Sequence, residues 1–180
     1  MFSSACYYIY NRNAAKVSEI VEEALIQRIF YEYEPQVENH IQTILLDLKE
    51  EQREFIGYLE FPRFNIRRLI QLGTDDKTLE TSIGQLINGA NLDDEFGNLI
   101  FAGHNRAEQF AFVFNLNLGD EIILNSKINS YKYVVTEIYI VPKYKTDILK
   151  NIISDNIIRL ITCTNNNQDR LIIEARRITI

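Results

Sequence analysis

The sequence predicts a mainly β domain, either a closed barrel or a sandwich with short helices, preceded by one or two amphipathic helices. From Phe55 onward, short apolar runs rich in β-branched and aromatic residues are separated by turn signals. Residues 12–34 and 37–54 instead carry apolar side chains at helical spacing, and Pro35 separates the two segments. We therefore divide the chain into an N-terminal helical region, residues 1–54, and a β domain, residues 55–180.

The β domain can be predicted element by element. Strands are expected at residues 55–62, 66–72, 98–102, 121–125 and 131–141, and a final hairpin at residues 159–164 and 170–174. Short helical segments are expected at residues 75–82, 107–116 and 147–152. Thr74 or Asp75 can cap the first of these helices, since both side chains accept hydrogen bonds from backbone amides.

The final hairpin brings a cysteine and an arginine together. Because successive side chains on a strand point to opposite faces, Cys163 lies on the face opposite to Leu160 and Thr162. By the same alternation, Arg170 lies opposite to the apolar Leu171. If both apolar faces look into one core, Cys163 and Arg170 emerge together on the outer surface. Positive charge beside a cysteine increases the fraction present as thiolate, which is the nucleophilic form.

A histidine ends another predicted strand. His104 follows the apolar run 98–102 and Gly103, whose lack of a side chain permits close approach of the backbone. The other histidine, His40, lies in a polar stretch that is expected to be helical. His104 is therefore the candidate proton partner for Cys163, although a buried cysteine and a structural histidine are the plain alternatives.

The composition excludes several classes of protein. The 180 residues are 46% hydrophobic and 24% charged, as in ordinary globular domains. A net charge of −6 argues against nucleic acid as a generic partner. The two cysteines, Cys6 and Cys163, make neither a disulfide framework nor a zinc site. No apolar run is long enough to span a membrane, and the first residues lack the positive start of a signal peptide, which alone predicts a soluble cytosolic protein.

Three motifs in the right order resemble the sortases, the cysteine transpeptidases of bacterial cell surfaces. They are the strand end Ala102-Gly103-His104, the strand end Leu160-Ile161-Thr162-Cys163, and Arg170 at the start of the next strand. The cysteine motif of the family is usually Thr-Leu-x-Thr-Cys, and Arg159 stands where its first threonine is expected. The segment Gln71–Thr74, followed by Leu79, Ile83 and Gly84, also resembles the family, so that the match covers about residues 55–178.

The resemblance implies a fold, a reaction and partners. The fold would be a closed sortase-like β-barrel, with His104, Cys163 and Arg170 as catalytic residues and Thr162 as a substrate-binding residue. The substrate would be a surface protein with a C-terminal sorting signal like Leu-Pro-x-Thr-Gly. The acyl acceptor would be an amine of a peptidoglycan precursor or a pilin, with no metal or organic cofactor. The enzyme would work on the outer face of a bacterial cell membrane, held by an anchor that precedes Met1.

Several alternatives stay open at this stage. Glu34-Pro35-Gln36 does not match the lid of pilin-polymerising sortases, and no long class B insertion is evident, which favours a class A or class D-like enzyme. A papain-like hydrolase is disfavoured because His104 precedes Cys163. The acidic residues 93–95 suggest a solvated loop or, as a sharper alternative, a calcium site, although they lack the spacing of a calcium loop. A non-catalytic β-barrel binding module is the remaining alternative.

Overall fold

The computed structural model of the protein describes residues 22–23, 25–26, 55–87, 90–150, 156–164 and 166–178. The chain divides into two compact units, Met1–Arg53 and Glu54–Ile180. Within the first unit, the described residues Glu22, Glu23, Leu25 and Ile26 are helical. The rest of the two predicted N-terminal helices lies outside the described residues, as do Cys6 and His40, so the interpretation of residues 1–54 stays a prediction.

In the described residues, the second unit is built around eight strands that close into a barrel. Their bounds are β1 (Phe55–Phe61), β2 (Ile66–Leu72), β3 (Ile83–Gln85), β4 (Gly97–Ala102), β5 (Glu121–Ser126), β6 (Ser130–Pro142), β7 (Asn156–Thr164) and β8 (Asp169–Arg177). Neighbouring strands follow the order β1-β2-β3-β4-β7-β8-β6-β5, and pairing of β5 with β1 closes the sheet. The prediction of a mainly β domain is confirmed, and of the two architectures considered the barrel is present.

The short helical segments between the strands differ partly from expectation. The helix Asp76–Thr81 begins as predicted, because Asp75 caps it by accepting the Thr78 amide at 3.1 Å. The helix predicted over residues 107–116 is wrong in extent, since only Ala111–Asn115 form a turn of 3-10 helix. The residues before it bond back to the carbonyls of His104 and Arg106 instead of continuing a helix. Of the segment 147–152, Asp147–Leu149 form a 3-10 turn and the last two residues lie outside the described ranges.

Strand β3 was not predicted, because three residues are too few to show alternation. It pairs in parallel with β2 and antiparallel with β4. The close approach of β2 and β3 requires glycine at position 84, where a side chain would collide with the carbonyl oxygen of Gly73. This short strand therefore joins β2 to β4, which precedes His104.

The barrel core is apolar and continuous. It is formed by the inward-facing residues of all eight strands together with aromatic residues from the segment after β4, and includes Leu59, Phe61, Ile70, Ile83, Phe101, Phe110, Ile122, Leu124, Val135, Ile158, Leu160 and Ile173. Each fully buried aliphatic or aromatic side chain contributes about 1.5–3 kcal/mol through burial. Among the described residues, no helix has both the length and the apolar character needed to cross a membrane.

Candidate active site

The predicted hairpin is present and extends further than expected. Strands β7 and β8 are antiparallel neighbours, and their register sets Cys163 directly opposite Arg170. Directly opposed residues of an antiparallel pair have Cβ atoms about 4.5–5.5 Å apart and share one face of the sheet. Cys163 is a free thiol and is partly exposed, as is Arg170. The expected juxtaposition of thiol and guanidinium is therefore present.

Strand β4 brings His104 towards this pair. Strands β4 and β7 run in parallel, with Ala102 opposite Ile161. The amide of Gly103 continues the ladder by donating to the Ile161 carbonyl at 3.1 Å. His104 therefore leaves β4 at the same end of the sheet at which Cys163 leaves β7. The connection requires glycine at position 103, because a Cβ there would lie 2.7 Å from a ring carbon of Phe110.

Both backbone groups of His104, the amide and the carbonyl, form hydrogen bonds. Its amide donates to the side-chain oxygen of Gln109. Its carbonyl accepts from the amides of Arg106, at 2.9 Å, and of Phe110, at 3.0 Å. The segment after β4 thus folds back on itself around His104, which fixes the direction in which the imidazole leaves the chain.

Burial and charge both act on the imidazole of His104. Partial burial lowers its pKa below the ordinary value of 6.5, since desolvation disfavours the imidazolium form. The positive charge of Arg106 lowers the pKa further, while the negative charge of Asp76 opposes the shift. At neutral pH the imidazole is therefore mainly neutral, and the imidazolium form is the minority.

Arg170 is anchored to its own loop. Its Nη1 donates to the carbonyls of Asp169, at 3.0 Å, and of Asn167, at 3.3 Å. The loop before β8 turns sharply, with Asn166 and Asn167 in the left-handed region at φ of 50° and 66°. Glu174, which lies on the same face of β8, is engaged by Arg159. The guanidinium is thus oriented by backbone carbonyls beside Cys163.

The outer face of the hairpin is more covered than the alternation predicts. Arg159 and Glu174 face each other across β7 and β8 on the same face as Cys163, yet their side chains are only 9% and 10% exposed. Arg159 Nε lies 2.6 Å from Glu174 Oε1, which also accepts the Tyr139 hydroxyl at 2.7 Å. Arg159 also donates to the Ile148 carbonyl at 2.9 Å, so that the segment before β7 packs over this face. Away from the Cys163 end, this face of the hairpin is therefore covered and does not lie in solvent.

Thr162 lies on the other side of the sheet from Cys163. It is in phase with the core residues Ile158 and Leu160, and only 2% of its surface is exposed. Among the described residues its hydroxyl has no hydrogen-bond partner. This placement is that of a core threonine, and a role for Thr162 in substrate binding stays a prediction.

The acidic residues 93–95 serve a structural purpose in the described part of the chain. Asp93 Oδ1 accepts hydrogen bonds from Ser126, Asn129 and Tyr131 at 2.7–3.0 Å. Burial disfavours its charged form, but these three donors outweigh burial and lower the pKa of Asp93. Asp94 accepts the amide of Asn91 at 2.7 Å. No group of three His, Cys, Asp or Glu side chains within the described ranges is arranged to hold a metal ion.

Sequence reasoning missed two buried residues that hold the His104 segment. Gln109 is 3% exposed and bonds to the His104 amide, and Arg68 is 3% exposed and bonds to the carbonyls of Ala107 and Gln109. Neither belongs to a periodic pattern that signals function. Only the folded arrangement, in which β2 passes beneath the segment after β4, brings them to His104.

Comparison with known proteins gives a consistent result. A family model for the sortase domain matches residues 59–178. The chain is 29% identical over 136 residues to Sortase D of Bacillus subtilis, which covers 73% of this chain and 68% of that protein. Its structure is similar to that of a Clostridium perfringens Sortase D5 transpeptidase, with a TM-score of 0.67, 25% identity, and coverage of 87% of this chain and 99% of the other. Sortase A of Corynebacterium diphtheriae has the same TM-score at 22% identity, covering 97% and 88% of the two chains.

Proposed function

The chain belongs to the sortase family, and on this premise we propose that it is a cysteine transpeptidase that cuts an LPxTG-like sorting signal and transfers the acyl group to an amine. The single observation that most supports this reaction is the register that sets Cys163 opposite Arg170, with His104 following the neighbouring parallel strand. The nucleophile, the proton carrier and the cation then lie at the same end of three adjacent strands, β4, β7 and β8. Covalent acyl transfer needs these three groups and no cofactor.

The reaction divides into two balanced steps. In the first, the Cys163 thiolate attacks the carbonyl carbon of the threonine in the signal, and the imidazolium of His104 gives its proton to the leaving amine as the C–N bond breaks. The product is a thioester on Cys163. In the second step, an incoming amine gives a proton to the neutral imidazole and attacks the thioester carbon. The C–S bond then breaks and the thiolate is restored.

Arg170 would stabilise the charge that develops on the carbonyl oxygen. A guanidinium presents a planar fork of N–H donors, and two of its hydrogen bonds already fix it to the loop before β8. A preoriented cation at a developing oxyanion lowers the barrier without reorganisation during the reaction. This position supports Arg170 as the residue that binds the substrate carbonyl and the tetrahedral intermediate.

The partners follow from the reaction. The acyl donor would be a surface protein with a C-terminal sorting signal, and the acceptor an amine of a peptidoglycan precursor or a pilin. With such substrates the enzyme would work on the outer face of a bacterial cell membrane, held by an anchor. A class A or class D-like enzyme is the proposed subclass, and the similarity to Sortase D of Bacillus subtilis agrees with the second of these.

A peptide screen tests the proposal. Variants of Leu-Pro-x-Thr-Gly flanked by a fluorophore and a quencher are incubated with the protein, with and without triglycine or a lysine-bearing peptide as acceptor. We expect cleavage after threonine, and a new amide product when an acceptor amine is present. Binding of the peptides without cleavage would instead support the alternative of a non-catalytic β-barrel binding module.

A further inference from the structure

We propose that Gln109 is a positioning residue for His104, holding the imidazole where it meets Cys163; this inference rests on the proposed function. Gln109 lies in the segment after β4, five residues beyond His104, and is 3% exposed. Its side chain bridges the His104 backbone to the segment Leu79–Ser82, at the end of the short helix.

An amide is the one side-chain group of this size that satisfies all the bonds at position 109. Its oxygen accepts the His104 amide, while Nε2 donates to the carbonyls of Leu79, at 2.7 Å, and of Ser82, at 3.1 Å. A carboxylate has no N–H to give to the two carbonyls, and an apolar side chain would remove all three hydrogen bonds. Buried polar groups that lose their partner destabilise the folded segment.

A second contact fixes the same segment from the opposite side. The guanidinium of Arg68, on β2, donates to the carbonyl of Gln109 at 3.2 Å and to that of Ala107 at 2.9 Å. Arg68 also lies over the ring of Phe112, 5.5 Å from its centroid. The main chain at Gln109 is therefore held by β2, while its side chain holds His104.

The consequence for His104 is a fixed backbone. Its amide is tied to Gln109 and its carbonyl to the amides of Arg106 and Phe110. With both peptide groups fixed, the segment sets the direction of the Cα–Cβ bond from which the imidazole extends. A shift of about 1 Å in a catalytic group can cost about 100-fold in rate. Gln109 thus acts on the reaction through His104 without reaching the substrate.

The test compares Gln109→Glu, which keeps the size of the side chain and loses its two donors, with wild type. Gln85→Glu is the matched control, because Gln85 is 2% exposed and its side-chain amide donates at 2.8 Å to the carbonyl of Ala90, which lies outside the His104 segment. We expect Gln109→Glu to lower kcat for peptide cleavage by about 100-fold with little change in KM. Gln85→Glu destabilises the fold in a similar way but should keep kcat within about threefold of wild type. Equal losses of kcat in both variants would overturn the proposal.

A second readout needs no substrate. The chain has two histidines, His40 and His104, so the His40→Gln variant assigns the imidazole resonance of His104 in an NMR titration. The NMR comparison uses Gln109→Asn, which keeps the amide and shortens its reach, because the carboxylate of Gln109→Glu would itself favour the imidazolium. Loss of the Gln109 contact should let the imidazole move towards solvent, and its titration midpoint should then rise towards the ordinary value of about 6.5. An unchanged midpoint and line width in Gln109→Asn would overturn the proposal even if no sorting peptide is cleaved. If Gln109→Glu does not fold, kcat is also measured on Gln109→Asn.

Discussion

Arg170 offers a choice between two ways in which a cation can assist Cys163. A positive charge of any shape raises the thiolate fraction, whereas a planar fork can also hold a carbonyl oxygen at a defined place. Because Nη1 of Arg170 is bonded to the carbonyls of Asn167 and Asp169, the orientation of the guanidinium is fixed by the loop. A fixed orientation of the guanidinium is needed to hold a carbonyl oxygen in place, whereas an effect on the thiolate fraction needs only the charge.

Arg170→Lys should therefore lose most of the activity while keeping the fold. Lysine keeps the charge but not the fork, and loss of one donor to the oxyanion costs about 2–4 kcal/mol in the barrier. We expect Arg170→Lys and Arg170→Ala to show similar, large losses of kcat/KM and melting temperatures near that of wild type. Turnover of the lysine variant close to normal would show that charge alone matters, and a large fall in melting temperature would make Arg170 structural.

The acid side of the pH profile should report His104. The pKa of His104 is lowered by burial and by Arg106 and raised by Asp76, so the acid limb of kcat/KM should lie below pH 6.5. Removing the positive charge in Arg106→Gln makes the imidazolium easier to form and should move this limb to higher pH. Asp76→Asn removes the opposing negative charge and should move it to lower pH. Profiles of the three proteins over roughly pH 4.5–10 give the comparison, and limbs that coincide would exclude His104 as the titrating group.

The residues that could be predicted are those on regular strands. Cys163 and Arg170 follow from alternation within one hairpin, which depends only on local sequence. Gln109 and Arg68 could not be found in this way, because their partners lie on other elements and their bonds go to backbone carbonyls that have no sequence signature. Strand periodicity predicts which way a side chain points but not which carbonyl it meets.

On the scale of elements, alternation along the β7–β8 hairpin predicts the correct face for each side chain but not how exposed that face is. Arg159 does lie on the outer face, as alternation predicts, but this face is covered by the 3-10 turn Asp147–Leu149 and the residue after it. Asn98 donates to the Lys150 carbonyl at 3.3 Å and Arg159 to the Ile148 carbonyl at 2.9 Å. Arg159 stands where the sortase motif has threonine, and the buried pair with Glu174 accounts for a charged residue at that position.

Removing one charge of the buried Arg159–Glu174 pair should destabilise the barrel. In Glu174→Gln the positive charge of Arg159 stays buried without its counter-ion, which costs about 3–5 kcal/mol in the free energy of unfolding. Replacing both residues in Arg159→Met/Glu174→Leu removes the uncompensated charge and should recover much of this loss. Urea unfolding, monitored by circular dichroism, measures the free energy of unfolding of wild type and of both variants.

The exposed pair Asp147–Lys150 provides the control. Both side chains are 74% exposed, and their charged atoms are 2.9 Å apart. Surface pairs of this kind contribute little because water and salt screen them, so Asp147→Asn should unfold at the same urea concentration as wild type. A Glu174→Gln variant as stable as Asp147→Asn would contradict the buried role of the Arg159–Glu174 pair.

On the scale of the whole molecule, the site depends on an arrangement of strands that no local pattern contains. Strands β4 and β7 are parallel neighbours although, in the described residues, strands β5 and β6 and two 3-10 turns lie between them in the sequence. The placement of His104 at the same end of the sheet as Cys163 and Arg170 is therefore a property of the closed barrel. Periodicity predicted the strands, and only the family resemblance predicted that their ends meet.

The most direct test of the proposed mechanism is the mass of the protein during the reaction. We predict that acid quenching shortly after addition of a sorting-signal peptide traps an adduct with the mass of the acyl fragment, and that digestion places it on Cys163. Cys163→Ala should form no adduct and cleave no peptide, while Cys6→Ala should behave as wild type. An adduct on Cys6, or full cleavage by the Cys163→Ala variant, would contradict the assignment of Cys163 as the nucleophile.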